Sequence, residues 1–147
     1  MGLIDDLLAG VTGVTSNLWP QPAEKPQLIN GRLRPCTGTP NCVCSEGDSP
    51  GGKVDPLTFS GTPDAAWSAL KQTVADLGGT VRHESDGYLW TTFLIPLFGF
   101  TDDVEFRLDA GAKMIHVRSA SRMGYSDLGV NKGRVEQLHS AFAKRCG

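Results

Sequence analysis

The 147-residue chain lacks any apolar run that approaches the roughly 18 residues a membrane-spanning helix needs. It also lacks a secretory signal, because Asp5 and Asp6 stand where such a signal has Lys or Arg. The myristoylation motif is incomplete, since Asp6 occupies the position of its Ser or Thr. These absences exclude a transmembrane segment and predict a cytoplasmic protein. Peripheral association with a membrane complex stays open as an alternative.

An excess of charge of one sign is missing as well. The chain has 14 Lys and Arg against 16 Asp and Glu, and the basic residues are scattered among the acidic ones. A nucleic-acid binder normally carries a basic excess on one face. The charge pattern therefore predicts that nucleic acid is not the main partner.

Catalytic and cofactor motifs are also absent. Gly129 is followed by Val130 and not by the Lys of a P-loop. The three histidines show no H-x-x-x-H spacing, and residues 124–129 place their second glycine one residue too late for a nucleophile elbow. The sequence thus predicts no cofactor and favours a protein that is not an enzyme.

The cysteines leave several chemistries open. They stand at positions 36, 42, 44 and 146, and three pairings are conceivable. Cys36 and Cys42 flank a short loop that a disulfide could close, although free thiols are the default without a signal peptide. Zinc binding by Cys36, Cys42, Cys44 and Cys146 is the weaker alternative, because C-x5-C-x-C lacks the tight pairs of structural zinc sites.

Residues 1–53 are predicted to form an extended N-terminal arm. Five apolar residues recur at helical spacing, which predicts a short amphipathic helix over residues 2–14: Leu3, Ile4, Leu7, Leu8 and Val11. So short a helix needs support. It either folds back on its own domain or, together with Trp19, docks on a protein partner or a second copy. The Pro-punctuated segment 17–35 reads as a strap, and residues 36–53 read as a Cys-containing loop.

Residues 54–147 are predicted to form a compact α+β domain. A strand over 57–60 precedes a helix that begins at Thr62 and Pro63 and ends at Gly78. Alternation and turn residues then predict four strands, followed by a last helix; the five segments are 80–84, 88–94, 103–109, 114–120 and 130–145. The order β-α-β-β-β-β-α predicts an antiparallel sheet of about five strands with both helices packed on one face.

Charged residues alternate with apolar ones on the last two strands. Asp103, Glu105 and Arg107 point away from the apolar side, as do His116 and Arg118. Two registers are possible, which place Arg118 opposite either Glu105 or Asp103. We call the side of the sheet that carries these five residues the polar face and expect it to be open.

The segment after the last strand is rich in arginine and hydroxyl groups. With Asp127 as the expected N-cap, free N–H groups of the last helix predict a candidate anion site. Its residues are Arg118, Ser119, Ser121, Arg122, Ser126, Asp127, Asn131 and Arg134. In the alternative, Asp127 fills this site itself and the arginines pair with Asp103 and Glu105.

Three blocks of sequence resemble the family known as domain of unknown function 1499. They are Pro35-Cys36-Thr37-Gly38-Thr39-Pro40-Asn41-Cys42-Val43-Cys44-Ser45, then residues 99–106, then residues 117–122 with residues 124–131 and Arg134. The resemblance spans about residues 36–143 and implies a bacterial, cyanobacterial or plastid type of protein with no established activity. Cys44 departs from the family pattern, which usually has Ser at this position.

Three hypotheses follow from the sequence. The first is a non-catalytic binding or assembly protein whose arm docks on a protein partner. The second is a small anionic ligand held by Arg118, Arg122 and the last helix. The third is a thiol-based enzyme or a metal or redox protein, which requires a cysteine of low pKa.

Overall fold

The computed structural model describes residues 25–95, 99–122 and 129–146. The predicted arm helix and Trp19 lie outside these residues, and so do Ser126 and Asp127. The described part forms six strands and two helices: β1 (Cys42–Cys44), β2 (Leu57–Thr58), α1 (Pro63–Asp76), β3 (Thr80–Ser85), β4 (Tyr88–Ile95), β5 (Phe100–Asp109), β6 (Met114–Ser121) and α2 (Val130–Cys146). None of the helices in the described residues is long and apolar enough to cross a membrane.

The strands form one antiparallel sheet. Its order is β1-β6-β5-β4-β3, and β2 also pairs with β6. The hairpin between β3 and β4 turns at Asp86-Gly87, where Gly87 has φ +70; this left-handed conformation is the reason for the glycine. The predicted α+β fold with an antiparallel sheet and two helices is confirmed.

The prediction of a loop over residues 36–53 is wrong in part, because Cys42–Cys44 form strand β1. β1 pairs with β6 so that Cys42 lies opposite Ala120 and Cys44 opposite Arg118. The Gly, Pro and Ser around these residues are typical of a loop. The strand forms because it pairs with β6, which is distant in sequence, and a local residue pattern does not show such pairing. The sheet therefore has one strand more than expected.

Helix α1 begins and ends where its sequence predicts. The Thr62 side chain accepts a hydrogen bond from the Ala65 N–H at 3.1 Å, and Pro63 occupies the first helical turn. After the helix, Gly79 lies so close to Phe93 and Val74 that a Cβ there would overlap both side chains. This close approach seats the end of α1 on the sheet.

The hydrophobic core lies between the two helices and one face of the sheet. Leu70 and Val74 of α1 and Leu138 of α2 are completely buried there. They pack with alternate residues of the strands, namely Leu89, Phe93, Val104, Phe106, Ile115 and Val117. The apolar side of β5 and β6 is thus sealed by helices, as the alternation predicted.

The polar face is not open, contrary to the sequence-based expectation. We call residues 25–53 the cover segment; it contributes β1 to the edge of the sheet, and its other contacts cover part of the polar face. Leu33, Cys36, Cys42 and Cys44 of this segment form a second apolar cluster with Tyr88 of β4. Glu105 is completely buried beneath this cover and Asp103 nearly so. The cover was missed because its apolar residues follow no helical or strand period. The predicted boundary between arm and compact domain at residue 54 stays a prediction.

Candidate functional site

Glu105 is the centre of a buried ionic cluster on the polar face. The structure adopts the register that places Glu105 opposite Arg118. The Glu105 carboxylate lies 3.3 Å from the Arg34 guanidinium and 3.6 Å from that of Arg118, and it accepts a hydrogen bond from the Tyr88 hydroxyl at 2.7 Å. Two cations and a phenol thereby compensate one carboxylate that water does not reach.

Burial changes the titration of the groups around Glu105. Burial, followed by the nearby Glu105 carboxylate, raises the pKa of Tyr88, so the phenol stays protonated and acts as a donor. Burial, followed by repulsion from Arg34, lowers the pKa of Arg118. The Arg118 Nε also donates to the Arg34 carbonyl oxygen at 2.8 Å. Arg118 therefore holds the cover segment down as well as facing Glu105.

A second ion pair fixes the cover segment to β5. Glu46 accepts hydrogen bonds from Arg107 at 2.5 and 3.0 Å and from the Leu33 N–H at 2.9 Å. Burial opposes ionisation of Glu46, but the hydrogen bonds from Arg107 and Leu33 outweigh it and hold its pKa below the usual value. Glu46 is thus a charged clamp between two parts of the cover segment and the sheet.

Asp103 forms a two-point contact with Arg122. The Arg122 Nε lies 2.9 Å from Oδ2, its Nη2 lies 2.9 Å from Oδ1, and the Trp90 Nε1 donates to the same Oδ1 at 2.9 Å. Such a fork of two parallel hydrogen bonds is the geometry that a guanidinium and a carboxylate prefer. Asp103 thereby fixes the end of β6 and the Trp90 ring together.

A separate polar cluster lies on the helix side of the sheet. Asp102 accepts hydrogen bonds from Arg134 and from the Ser121 hydroxyl, both at 2.8 Å. Asn131 accepts from the Ser119 hydroxyl at 2.5 Å and donates to the Ser121 oxygen at 2.9 Å. These contacts join the first turn of α2 to β5 and β6, and they use side chains that the sequence assigned to an anion site.

The described residues of the predicted anion site lie on two sides of the sheet. Arg118 and Arg122 lie on the polar face, whereas Ser119, Ser121 and Arg134 lie on the helix side, because neighbouring residues of a strand point to opposite faces. Each of the three arginines forms an ion pair with an acid of the chain.

His116 and Ser45 form a contact that superficially resembles a catalytic pair. The Ser45 Oγ lies 3.0 Å from the His116 Nδ1 and also accepts the Val117 N–H at 2.9 Å. Ser45 is buried, and burial lowers the pKa of His116, with Glu46 opposing that change. The pair therefore acts as a neutral hydrogen-bonded joint between the cover segment and β6.

The cysteines divide into a disulfide and two thiols. The structure joins Cys36 to Cys42, whereas free thiols were the sequence-based default; Cys44 and Cys146 are free. Burial raises the pKa of Cys44, so its thiol is protonated and a poor nucleophile at neutral pH. In the described ranges no group of three or more His, Cys, Asp or Glu could hold a metal ion.

The sequence pattern did not predict several residues of this site. Arg34 and Glu46 lie in the cover segment, where no periodicity marks a partner. Tyr88 and Trp90, by contrast, alternate with the core residue Leu89 in β4. This alternation could have assigned both aromatic rings to the polar face.

Fold and site together define a class of small α+β domain in which a buried ionic layer separates the sheet from an irregular cover. The chain belongs to the family described as protein of unknown function (DUF1499), whose model matches residues 32–142. The resemblance found in the sequence is thereby confirmed. The search of curated proteins found no match.

Proposed function

We propose that this chain is a non-catalytic binding or assembly protein whose N-terminal residues dock on a protein partner. The observation that carries the proposal is the fixation of the cover segment by Arg34–Glu105 and Glu46–Arg107. Because these pairs hold the cover against the sheet, the cover gives residues 1–24 a fixed point of attachment. A rigid base that presents an interacting segment is what an assembly role requires.

The use of the polar side chains also favours binding over catalysis. The candidate arginines pair with internal acids, Ser45 is engaged twice, and the Cys44 thiol is buried. An activated nucleophile needs an accessible group next to a base. The alternative of a thiol enzyme therefore has the weaker support.

Substitution of the arm tests this proposal. The double change Leu7→Ser with Leu8→Ser removes two members of the predicted apolar stripe. We expect loss of the partner in cross-linking and co-purification, or a smaller assembly in light scattering, with an unchanged melting temperature. The matched control is Asp5→Asn with Asp6→Asn, which alters the polar side of the same segment and should leave association intact. Unchanged association after deletion of residues 1–22 would refute the proposal.

A small anionic ligand at Arg118 and Arg122 is the second candidate, and its support is weaker because both arginines already face acids. Arg122→Ala separates the two interpretations. A structural role predicts a lower melting temperature without any ligand. A ligand site predicts an unchanged melting temperature together with loss of stabilisation by the anion.

A further inference from the structure

Beyond the covered part around Glu105, the polar face has a cleft at its β3–β4 edge that none of the preceding hypotheses uses. It has a volume of about 410 Å³ and lies where the start of the cover segment meets β3 and β4. Its wall includes Lys25, Leu28, Arg82, His83, Tyr88 and Trp90. This volume falls within the range of small-molecule sites.

Charge in this cleft is positive and uncompensated by the residues that line it. Lys25 and Arg82 are the basic side chains of its wall, and no carboxylate of the described residues lines the cleft. Arg82 forms no ion pair within the described ranges; its Nε donates to the Thr92 hydroxyl at 2.7 Å. It differs in this from Arg107, Arg118 and Arg122 on the same face, each of which pairs with an acid.

The aromatic rings of Tyr88 and Trp90 present apolar surface to the cleft and no free hydrogen-bond donor. The Tyr88 hydroxyl already donates to Glu105 and the Trp90 indole N–H to Asp103. The two polar atoms are therefore committed to the ionic layer behind the wall. The layer fixes both rings in place, and Leu28 adds an aliphatic side to the same cleft.

We propose that this cleft binds a small organic anion that joins a carboxylate or phosphate head to a flat apolar body. The head would lie by Arg82 and Lys25, where the guanidinium can donate two parallel hydrogen bonds. The body would rest against Trp90 and Leu28, where aromatic and aliphatic surface is removed from water. A carboxylate and a phosphate can both accept these hydrogen bonds, and probes that carry one or the other distinguish the two.

Titration of the full chain followed by NMR tests the proposal. The indole N–H signals of Trp90 and Trp67 serve as site and internal reference, because Trp67 donates to Glu84 on the helix side of the sheet. We expect phenyl phosphate or benzoate to shift the Trp90 signal saturably and to leave Trp67 unmoved. The neutral analogue benzyl alcohol should leave both signals in place.

Variants of the cleft complete the test. Arg82→Gln should weaken binding by about tenfold, since a charged hydrogen-bond donor is lost, while Arg82→Lys should lose less. Arg32→Gln is the matched control, because Arg32 is exposed and does not line the cleft. Saturable binding of phenyl phosphate alone would assign the phosphate head, and of benzoate alone the carboxylate head. The proposal is overturned if no probe saturates, if both Gln variants weaken binding equally, or if inorganic phosphate binds as tightly as phenyl phosphate.

Discussion

Single carboxylates of the polar face hold together parts of the chain that are far apart in sequence. Glu46 is nearly buried and joins Arg107 of β5 to the Leu33 N–H of the cover segment. A buried pair adds little net stability over an apolar pair, but removal of one partner leaves a buried charge without compensation. Substitution of one partner is therefore the informative change at this scale.

Glu46→Gln should lower the free energy of unfolding by on the order of 2–3 kcal/mol, because Arg107 stays partly buried without its anion. Glu84→Gln is the matched control. The Lys71–Glu84 pair is more than one third exposed on both sides, so its loss should cost at most about 1 kcal/mol. Denaturant unfolding at neutral pH measures both variants. Equal decreases in the free energy of unfolding would show that Glu46 does not stabilise the attachment of the cover segment to β5.

His116 should make stability depend on pH near neutrality. Burial lowers its pKa in the folded state, so the unfolded chain binds a proton first when the pH falls below about 6.5. The free energy of unfolding should therefore decrease as the pH is lowered through this range, until His116 is also protonated in the folded state. The contribution of Glu46 is lost at lower pH, since its own pKa is lowered.

Replacement by a side chain that does not titrate isolates this effect. His116→Gln should flatten the dependence of unfolding free energy on pH in the window of the histidine, measured by denaturant melts at several pH values. An identical slope in wild type and variant would show that His116 does not carry the dependence.

At the residue scale, the alternation of apolar and charged residues predicted contacts between neighbouring strands. It did not predict contacts between the strands and the cover segment. The pairing of Arg118 with a carboxylate followed from the two registers that apolar matching allows, and the structure selects Glu105. Arg34 could not be paired with Glu105 in advance, because 71 residues separate them and Arg34 lies in a segment without period. Exposure of the polar face was predicted wrongly for the same reason.

Among the elements, β1 depends on an unusually close backbone contact. The Cys44 N–H donates to the Gly52 carbonyl oxygen at 2.8 Å, and a Cβ on Gly52 would overlap the Cys42 carbonyl oxygen. The loop after β1 therefore returns directly against the strand that it leaves. Local propensity predicted α1 and the hairpin strands well, whereas β1 exists only through β6 and this return.

Gly52→Ala should destabilise the protein by about 1–3 kcal/mol, because backbone atoms must move to admit the methyl group. Gly61→Ala provides the control, since a Cβ at Gly61 meets nothing within 4 Å. That variant should be neutral, or stabilising by up to about 1 kcal/mol through the unfolded state. Thermal and denaturant unfolding compare the two, and similar values would refute the close contact.

On the scale of the whole molecule, the charged layer couples the cover segment to the sheet. Without residues 25–53, Glu105 would lose Arg34, Arg107 would lose Glu46, and β6 would lose β1. Leu33 would also leave the apolar cluster that contains Tyr88. The predicted boundary at residue 54 can therefore be tested by the consequences of cutting the chain on either side of the cover.

Two truncations make this comparison. A chain of residues 25–147 retains every contact described for the ionic layer, so we expect a dispersed NMR spectrum and a melting temperature close to that of the full chain. A chain of residues 54–147 exposes one face of the sheet and leaves Arg107 without Glu46. Glu105 loses Arg34 and keeps only Arg118 and the Tyr88 hydroxyl. Each broken buried pair should lower the free energy of unfolding by several kcal/mol. The total free energy of unfolding of a domain is only about 5–15 kcal/mol. We therefore expect the shorter chain to lose cooperative unfolding. If it instead melts like the full chain, residues 54–147 form an independent domain and the ionic layer contributes little to the fold.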